Sequence, residues 1–170
     1  MAGWSPEIAN EFIRLGATNG RAFDQSQLQK LVYIAHGWCL AISRQPLTGD
    51  RPEAWSFGPV YRKLAGCLEY AGLAPITREI TVGSLYSEVS LVEPSSPAKA
   101  DLDSFERDVI ARTFDDYGGF EAWQLSALTR KHKTAPWSGV YAGGAGEFRE
   151  ISHRLIEAQF VGLVKDSGAA

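Results

Sequence analysis

The stretch LQKLVYIAHGW at residues 28–38 decides the fold of this chain. Asp24 precedes it as a helix N-cap, and Gln27 stands three residues later, in the position of a capping box. Apolar residues then recur at spacings of three and four, which is the period of one face of an α-helix. The sequence therefore predicts an amphipathic helix whose buried stripe is formed by Leu28, Leu31, Val32, Ala35, Cys39 and Ile42.

Helix signals also occur on either side of this stretch. The sequence SPE at residues 5–7 is typical of a helix start, and we expect that first helix to end at Gly16. The segment EAWSFGPV at residues 53–60 begins as a short extended piece. Pro59 is then expected to open a third helix that runs to Gly72.

The second half of the chain is predicted to contain three more helices. A strand or hairpin is favoured at residues 81–92, and residues 93–100 are a linker within the domain. One helix begins at Asp103, another covers about residues 121–131, and Pro136 with its neighbour makes a turn. The first of the three carries a stripe of Phe105, Val109, Thr113 and Tyr117, and the last carries Phe148, Ile151, Leu155, Gln159 and Leu163.

The predicted fold is mainly α, in the α+β class. It is a single compact domain of about six helices with a small β-hairpin or short strands, over residues 1–165, followed by a flexible tail at residues 166–170. The chain has 170 residues, of which 45% are hydrophobic and 22% charged, the ordinary composition of a globular domain. Such a length supports one sizeable core.

Net charge and cysteine content limit the partners and the cellular compartment that we expect. The net charge of −3 argues against nucleic acid as a partner, because phosphate binding requires a basic face. No apolar stretch approaches the roughly 20 residues needed to cross a bilayer, so we expect no membrane association. Cys39 and Cys67 are the two cysteines, and we expect both to be buried and reduced in a cytoplasmic protein without a secretory leader.

Catalytic motifs are missing from the sequence. His36, His132 and His153 have no motif partners, and His36 with Cys39 lacks the second ligand pair of a zinc site. The glycine-rich GGAGEF at residues 143–148 has no P-loop lysine. The sequence therefore predicts a protein that is not an enzyme and needs neither a metal nor another cofactor.

The aromatic and basic residues have two interpretations: they seal helix junctions and stabilise a helix C-terminus, or they contact a partner protein. Tryptophan, tyrosine and arginine dominate binding hot spots. Of the five tryptophans, Trp38 and Trp55 are interpreted as structural. The start of the third helix is expected to be exposed, and residues 130–133 hold the most concentrated positive charge. The candidate contacts are therefore Tyr61, Arg62, Lys63, Arg130 and Lys131.

Four segments together resemble the Panacea domain family of SocA-like antitoxins and phage-associated GepA-like proteins. They are ANEFI at residues 9–13, LQKLVYIAHGW, EAWSFGPV, and YGGFEAWQLSALT leading to APW within residues 117–137. The pattern differs at Arg130, which follows Thr129 where the family often has a histidine. Carried over residue by residue, the signature consists of Gln29, Lys30, Tyr33, His36, Gly37, Trp38, Trp55, Gly58, Pro59, Val60, Pro136 and Trp137.

The resemblance implies an antitoxin that binds and neutralises a cognate protein toxin. Its signature residues are expected to frame a scaffold or to contact the partner. The tail ends in Ala169 and Ala170, similar to tails that proteases of the ClpXP type recognise, which leaves open a role as a proteolytic adaptor as well as a simply frayed terminus. Two other functions stay open: a small hydrolase or transferase that uses His36, and an autoregulatory DNA-binding domain.

Overall fold

The helix predicted from LQKLVYIAHGW lies at the centre of the molecule. The computed structural model describes residues 2–85, 96–130 and 135–168. In it, α2 (Gln25–Ser43) begins with the predicted capping box: the Gln27 N–H donates to Asp24 Oδ1 at 2.8 Å, and the Asp24 N–H donates to Gln27 Oε1 at 2.9 Å. Because most other elements pack against α2, this one helix organises the core.

The predicted fold class is confirmed, with eight α-helices and one two-stranded sheet among the described residues. The elements are α1 (Ser5–Thr18), α2, β1 (Glu53–Trp55), β2 (Gly58–Val60), α3 (Arg62–Leu68), α4 (Val82–Leu85), α5 (Ser104–Tyr117), α6 (Ala122–Arg130), α7 (Pro136–Tyr141) and α8 (His153–Gly168). Short 3₁₀ turns follow α3 at Glu69–Ala71 and α7 at Ala142–Gly144.

The helix α2 is buried on nearly all sides. It packs against α1, α3, α5, α6, α8 and β2. The predicted apolar stripe is buried except at Ile42, whose side chain is 59% exposed near the end of the helix. Polar residues of α2 are buried as well, among them Gln29, Lys30 and His36. A helix in this position needs polar partners inside the protein, and the loops around it supply them.

Helices α2 and α8 are held close together at Gly37. A Cβ atom at this position would overlap the Phe160 ring, so only glycine lets the ring lie on the α2 backbone. The same ring packs edge to face against Tyr33 and Trp38, with centroid distances of 6.0 and 5.1 Å. The Tyr33 hydroxyl donates to Gln159 Oε1 at 2.9 Å. Gly37 therefore sets the position of α8.

Asn10 of α1 connects two distant segments of the chain. Its buried Nδ2 donates to the carbonyl oxygens of Ile80 and Ala98, both at 2.8 Å, and its Oδ1 accepts from the Ile80 N–H at 2.7 Å. These bonds satisfy buried backbone groups that have no helix or strand partner. This role of Asn10 was not predicted from the sequence, although the residue lies within the ANEFI segment.

Several predicted boundaries were wrong. The first helix continues through Gly16 to Thr18, and the missing Cβ of Gly16 makes room for the Arg21 carbonyl, which follows the helix. Pro59 lies in β2 and does not open a helix, since α3 begins at Arg62. Pro136, predicted in a turn, is instead the first residue of α7.

The last helix also begins later than predicted. Phe148 and Ile151 precede α8, because their segment runs beside β1: the Phe148 N–H donates to the Ala54 carbonyl at 2.8 Å, and the Ile151 N–H donates to the Pro52 carbonyl at 2.7 Å. In the predicted strand region, residues 82–85 form α4, and residues 86–92 lie outside the described part of the chain. No helix in the described part is both long and apolar enough to cross a membrane.

Candidate functional site

The EAWSFGPV segment forms a small hairpin that stands on α2. Its strands pair antiparallel, with Glu53 opposite Val60, Ala54 opposite Pro59 and Trp55 opposite Gly58. Gly58 has a φ of +121°, and a Cβ there would lie 3.3 Å from Lys30 Cε. A glycine is required here because both the backbone conformation and the close approach disfavour a side chain.

Two buried polar residues of α2 fix this hairpin from below. Gln29 makes a pair of bonds with Tyr61: its Nε2 donates to the Tyr61 carbonyl at 3.0 Å, and its Oε1 accepts from the Tyr61 N–H at 2.8 Å. Lys30 Nζ donates to the Pro59 carbonyl at 3.0 Å. Burial, together with the charge of Arg130, lowers the pKa of Lys30 to about 8. These signature residues form a scaffold that positions the hairpin.

Above this scaffold, two tryptophans bring distant parts of the chain together. The Trp137 indole Nε1 donates to the Trp55 carbonyl at 2.7 Å, a bond between residues 82 positions apart. The Arg62 guanidinium lies 5.7 Å from the centroid of the Trp55 ring, and the Arg130 guanidinium lies 5.8 Å from that of Trp137. Each indole therefore supports one arginine through a cation–π contact.

The surroundings complete a surface that we call the aromatic-cationic face. Phe148 packs edge to face on Trp55 with centroids 5.4 Å apart, and Phe57 at the hairpin turn is 75% exposed. Glu53 accepts two bonds from Arg62, at 2.8 and 2.9 Å, which fix the plane of the guanidinium. The face consists of Trp55, Phe57, Arg62, Arg130, Trp137 and Phe148.

The residues predicted to contact a partner differ in exposure and location in the structure. Arg62 is exposed and lies in the face with the half-buried Arg130. Lys63 is half-buried and places its ammonium 4.5 Å from the centroid of the Trp4 ring. The prediction that Tyr61 is exposed was wrong: it has no exposed area, because it precedes α3 as an extended N-cap residue and turns its ring towards His36. Lys131, Ala169 and Ala170 lie outside the described residues.

His36 lies in the interior of the protein. It has no exposed area, and its Nδ1 accepts from the Thr48 N–H at 3.2 Å. Burial and the nearby ring of His153 lower the pKa of His36 to about 3, so the imidazole is neutral at physiological pH. A neutral, fully packed imidazole is poorly placed for proton transfer to a dissolved substrate. This geometry counts against a hydrolase or transferase that uses His36.

The two buried thiols are not activated as nucleophiles. Burial raises the pKa of Cys39 to about 12 and also raises that of Cys67, so neither thiol is a nucleophile at neutral pH. Over residues 2–85, 96–130 and 135–168, no cluster of three or more His, Cys, Asp or Glu could hold a metal ion.

Two members of the face, Phe57 and Phe148, were not predicted from the sequence. Phe57 belongs to the quoted EAWSFGPV segment, where it stands beside the turn glycine Gly58. A large aromatic residue in such a turn is exposed unless another element covers it, so this signal could have identified Phe57. Phe148 was placed on the last helix, so the sequence held no signal that it would reach Trp55. The face joins Trp, Arg and Phe side chains, residue types that are common in protein–protein interfaces.

Comparison with known proteins identifies the family of this chain. The family model described as Antitoxin SocA-like, Panacea domain, matches residues 28–138, and the chain belongs to this family. The protein is also similar to Antitoxin SocA of Caulobacter vibrioides (strain NA1000 / CB15N), with 30% identity over 150 residues, covering 88% of this chain and 76% of that protein. No solved structure matches. The matched residues contain the hairpin, both buried polar supports and both tryptophans of the aromatic-cationic face.

Proposed function

We propose that this protein is an antitoxin that neutralises a cognate protein toxin by binding it directly, with no catalytic step. The observation that carries the proposal is the pairing of Arg62 with Trp55 and of Arg130 with Trp137, two pairs joined by the Trp137 to Trp55 hydrogen bond inside the region matched by the SocA-like family. The similarity to Antitoxin SocA supports the same role.

The geometry of the face suits recognition of an acidic and apolar segment of the toxin. Arg130 and Arg62, the latter ion-paired with Glu53, supply the positive charge, while Phe57 and Phe148 are 75% and 52% exposed and can be buried by a partner. Because Glu53 and the indole rings already hold the arginines in place, binding loses less side-chain entropy than it would with free arginines. A preorganised surface of this kind favours a stable complex.

Two fates of the bound toxin fit this role. In the adaptor form, the protein delivers its toxin to an AAA+ protease of the ClpXP type in the cytoplasm, and the terminal Ala169 and Ala170 engage the protease. In the simpler form, the complex itself blocks the toxin. The two forms share the toxin-binding face and differ only in their need for the protease.

Growth of a bacterial host tests both forms. The host expresses the product of the adjacent gene with or without this protein, in wild-type and ClpXP-deficient cells. Rescue in both strains means neutralisation by binding alone, whereas rescue only with the protease present identifies an adaptor. Failure to rescue in either strain, with both proteins expressed, contradicts the proposal.

A matched pair of variants links rescue to the face. Arg62→Glu reverses a charge on the aromatic-cationic face and should weaken rescue and toxin binding. Lys99→Glu makes the same change at an exposed position outside the face and should leave both unchanged. Equal effects of the two variants would show that the face is not the contact surface.

A further inference from the structure

A second open surface runs along the side of α2, where a larger hollow is bounded by α2 and α5 and a smaller one by α2, α6, α8 and the end of α5. Two hollows, of about 420 and 280 Å³, both border on Tyr117 and lie on either side of the Trp38 and Phe160 pair. We call them together the α5–α8 groove. Its apolar lining includes Trp38, Ile42, Phe105, Tyr117, Leu128 and Leu163.

The groove contains apolar side chains that the fold itself leaves uncovered. Ile42 continues the buried stripe of α2 yet is 59% exposed, and Leu128 of α6 is 48% exposed. Within the described part of the chain, no other element covers either residue fully. Exposed apolar residues that line neighbouring hollows are more typical of a binding groove than of an ordinary surface.

The shape of the groove favours a helical partner segment over an extended one. Its walls are helix faces, so the lining supplies no strand edge with which an extended peptide could pair. An extended peptide would therefore leave N–H and C=O groups unsatisfied over apolar side chains, whereas a helix satisfies its own. From Phe105 to Tyr117 the wall spans about 18 Å at 1.5 Å per residue, the length of roughly 12 helical residues.

The charges along the groove favour a helix that carries basic residues. Its charged lining residues are Asp108, Arg112 and Asp116, all on α5, and they sum to −1. Arg112 Nε bonds Asp116 Oδ2 at 3.0 Å in a pair that is exposed on both sides and hence weak. Asp108 has no ion pair with a described residue. The lining from α6 and α8, which includes Leu128, Thr129 and Leu163, is uncharged.

We infer that the α5–α8 groove docks an amphipathic helix of the toxin that carries Lys or Arg along one edge. This inference rests on the proposed antitoxin function and adds a second contact of opposite charge to the aromatic-cationic face. The apolar side of the helix covers Ile42 and Leu128, and its basic edge faces Asp108, the acid of the lining that has no ion pair with a described residue.

The test measures binding of the purified product of the adjacent gene to the full-length protein. Ile42→Asp and Leu128→Asp place a charge on the apolar lining, and each should raise the Kd at least tenfold. Leu73→Asp is the matched control, because Leu73 is 96% exposed and does not line the groove, and it should leave the Kd unchanged. All three positions are exposed, so circular dichroism is expected to show native folding.

A charge reversal tests the basic edge separately. Asp108→Lys should raise the Kd several-fold and make binding less sensitive to salt, whereas Asp101→Lys, at an exposed position outside the groove, should do neither. Wild-type affinity in every groove variant, with weakening only by Arg62→Glu, would overturn the groove and leave the antitoxin proposal intact. No complex with the wild-type protein would overturn both.

A third outcome concerns the identity of the occupant. If the wild-type protein alone sediments as a dimer and Ile42→Asp converts it to a monomer, the groove is an interface between two copies and the inference is wrong. A monomer in both cases, together with weakened toxin binding, supports the toxin helix as the occupant.

Discussion

Gly37 shows how one missing side chain determines the packing of two helices. A methyl group there would overlap the Phe160 ring, which also contacts Tyr33 and Trp38. Gly37→Ala should therefore lower the free energy of unfolding by about 1–3 kcal/mol, the usual range for overpacking a core. Urea unfolding followed by circular dichroism measures the change.

Gly162 of α8 supplies the control for that substitution. It lies in a helix, and a Cβ there would meet no atom within 4 Å. Gly162→Ala should raise the stability by roughly 0.5–1 kcal/mol, because alanine loses less backbone entropy in a helix. If Gly37→Ala raises stability as Gly162→Ala does, helix propensity and not the Phe160 contact governs Gly37.

The buried imidazole of His36 links stability to pH. Its pKa falls from 6.5 to about 3 on folding, because burial and the nearby His153 disfavour the charged form. Between these values the unfolded chain binds a proton that the folded protein does not, so stability is complete above pH 6.5 and is lost as the pH falls towards 3. The loss should be on the order of several kcal/mol.

Urea midpoints measured across this pH window check the prediction. Replacing the histidine in His36→Asn removes its titration, so the variant should lose less stability between neutral and acid pH than the wild type does. His153, whose pKa burial also lowers, contributes in the same direction and remains in both proteins. Parallel pH profiles for wild type and variant would rule out His36 as the source.

At the scale of elements, the hairpin depends on a conformation that only glycine adopts readily. Gly58 has a φ of +121°, and a Cβ added to it would lie only 3.3 Å from Lys30 Cε. Gly58→Ala should destabilise the protein by about 1–3 kcal/mol and disturb the Trp55 and Trp137 contact, which would also weaken toxin binding. Unfolding curves and tryptophan fluorescence report the two effects.

Gly72 is a control that distinguishes the effect of backbone strain from the effect of a steric contact. It has a positive φ of +54°, but a Cβ there would meet nothing within 4 Å. Gly72→Ala should therefore be less destabilising than Gly58→Ala and should leave toxin binding unchanged. A loss of binding in both variants would point to a general folding defect rather than to the hairpin.

Local sequence signals predicted much of the individual elements. The capping box at Asp24 and the 3, 4 spacing after it predicted α2 and most of its buried stripe, because both depend on neighbours within a few positions. The position of Tyr61 was not predictable in the same way. The prediction placed the start of the third helix at Pro59, but α3 begins at Arg62. Tyr61 is therefore an extended residue before the helix, and its side chain points in a different direction from that of a helical residue.

At the scale of the whole molecule, the resemblance identified the family, but sequence alone could not assemble the face. The contact between Trp55 and Trp137 joins residues 82 positions apart, and the run from Phe148 to Ile151 lies beside β1 through backbone bonds that carry no sequence signature. Exposure of Ile42 likewise depends on the hollow between α2 and α5, which no periodicity in α2 reveals. Both the face and the exposure of Ile42 depend on packing between residues far apart in the sequence, which local patterns do not predict.

The central position of α2 predicts how the molecule unfolds. This helix packs against α1, α3, α5, α6, α8 and β2, so no large part of the described fold keeps its core once α2 is lost. Unfolding by urea should therefore be one cooperative transition, with coincident curves from far-ultraviolet circular dichroism and tryptophan fluorescence. Trp38 and Trp137 report on different regions, the α8 contact and the aromatic-cationic face. An earlier fluorescence transition that Trp137→Phe abolishes would mean that the region around α7 unfolds separately, and toxin binding would then have to order this region.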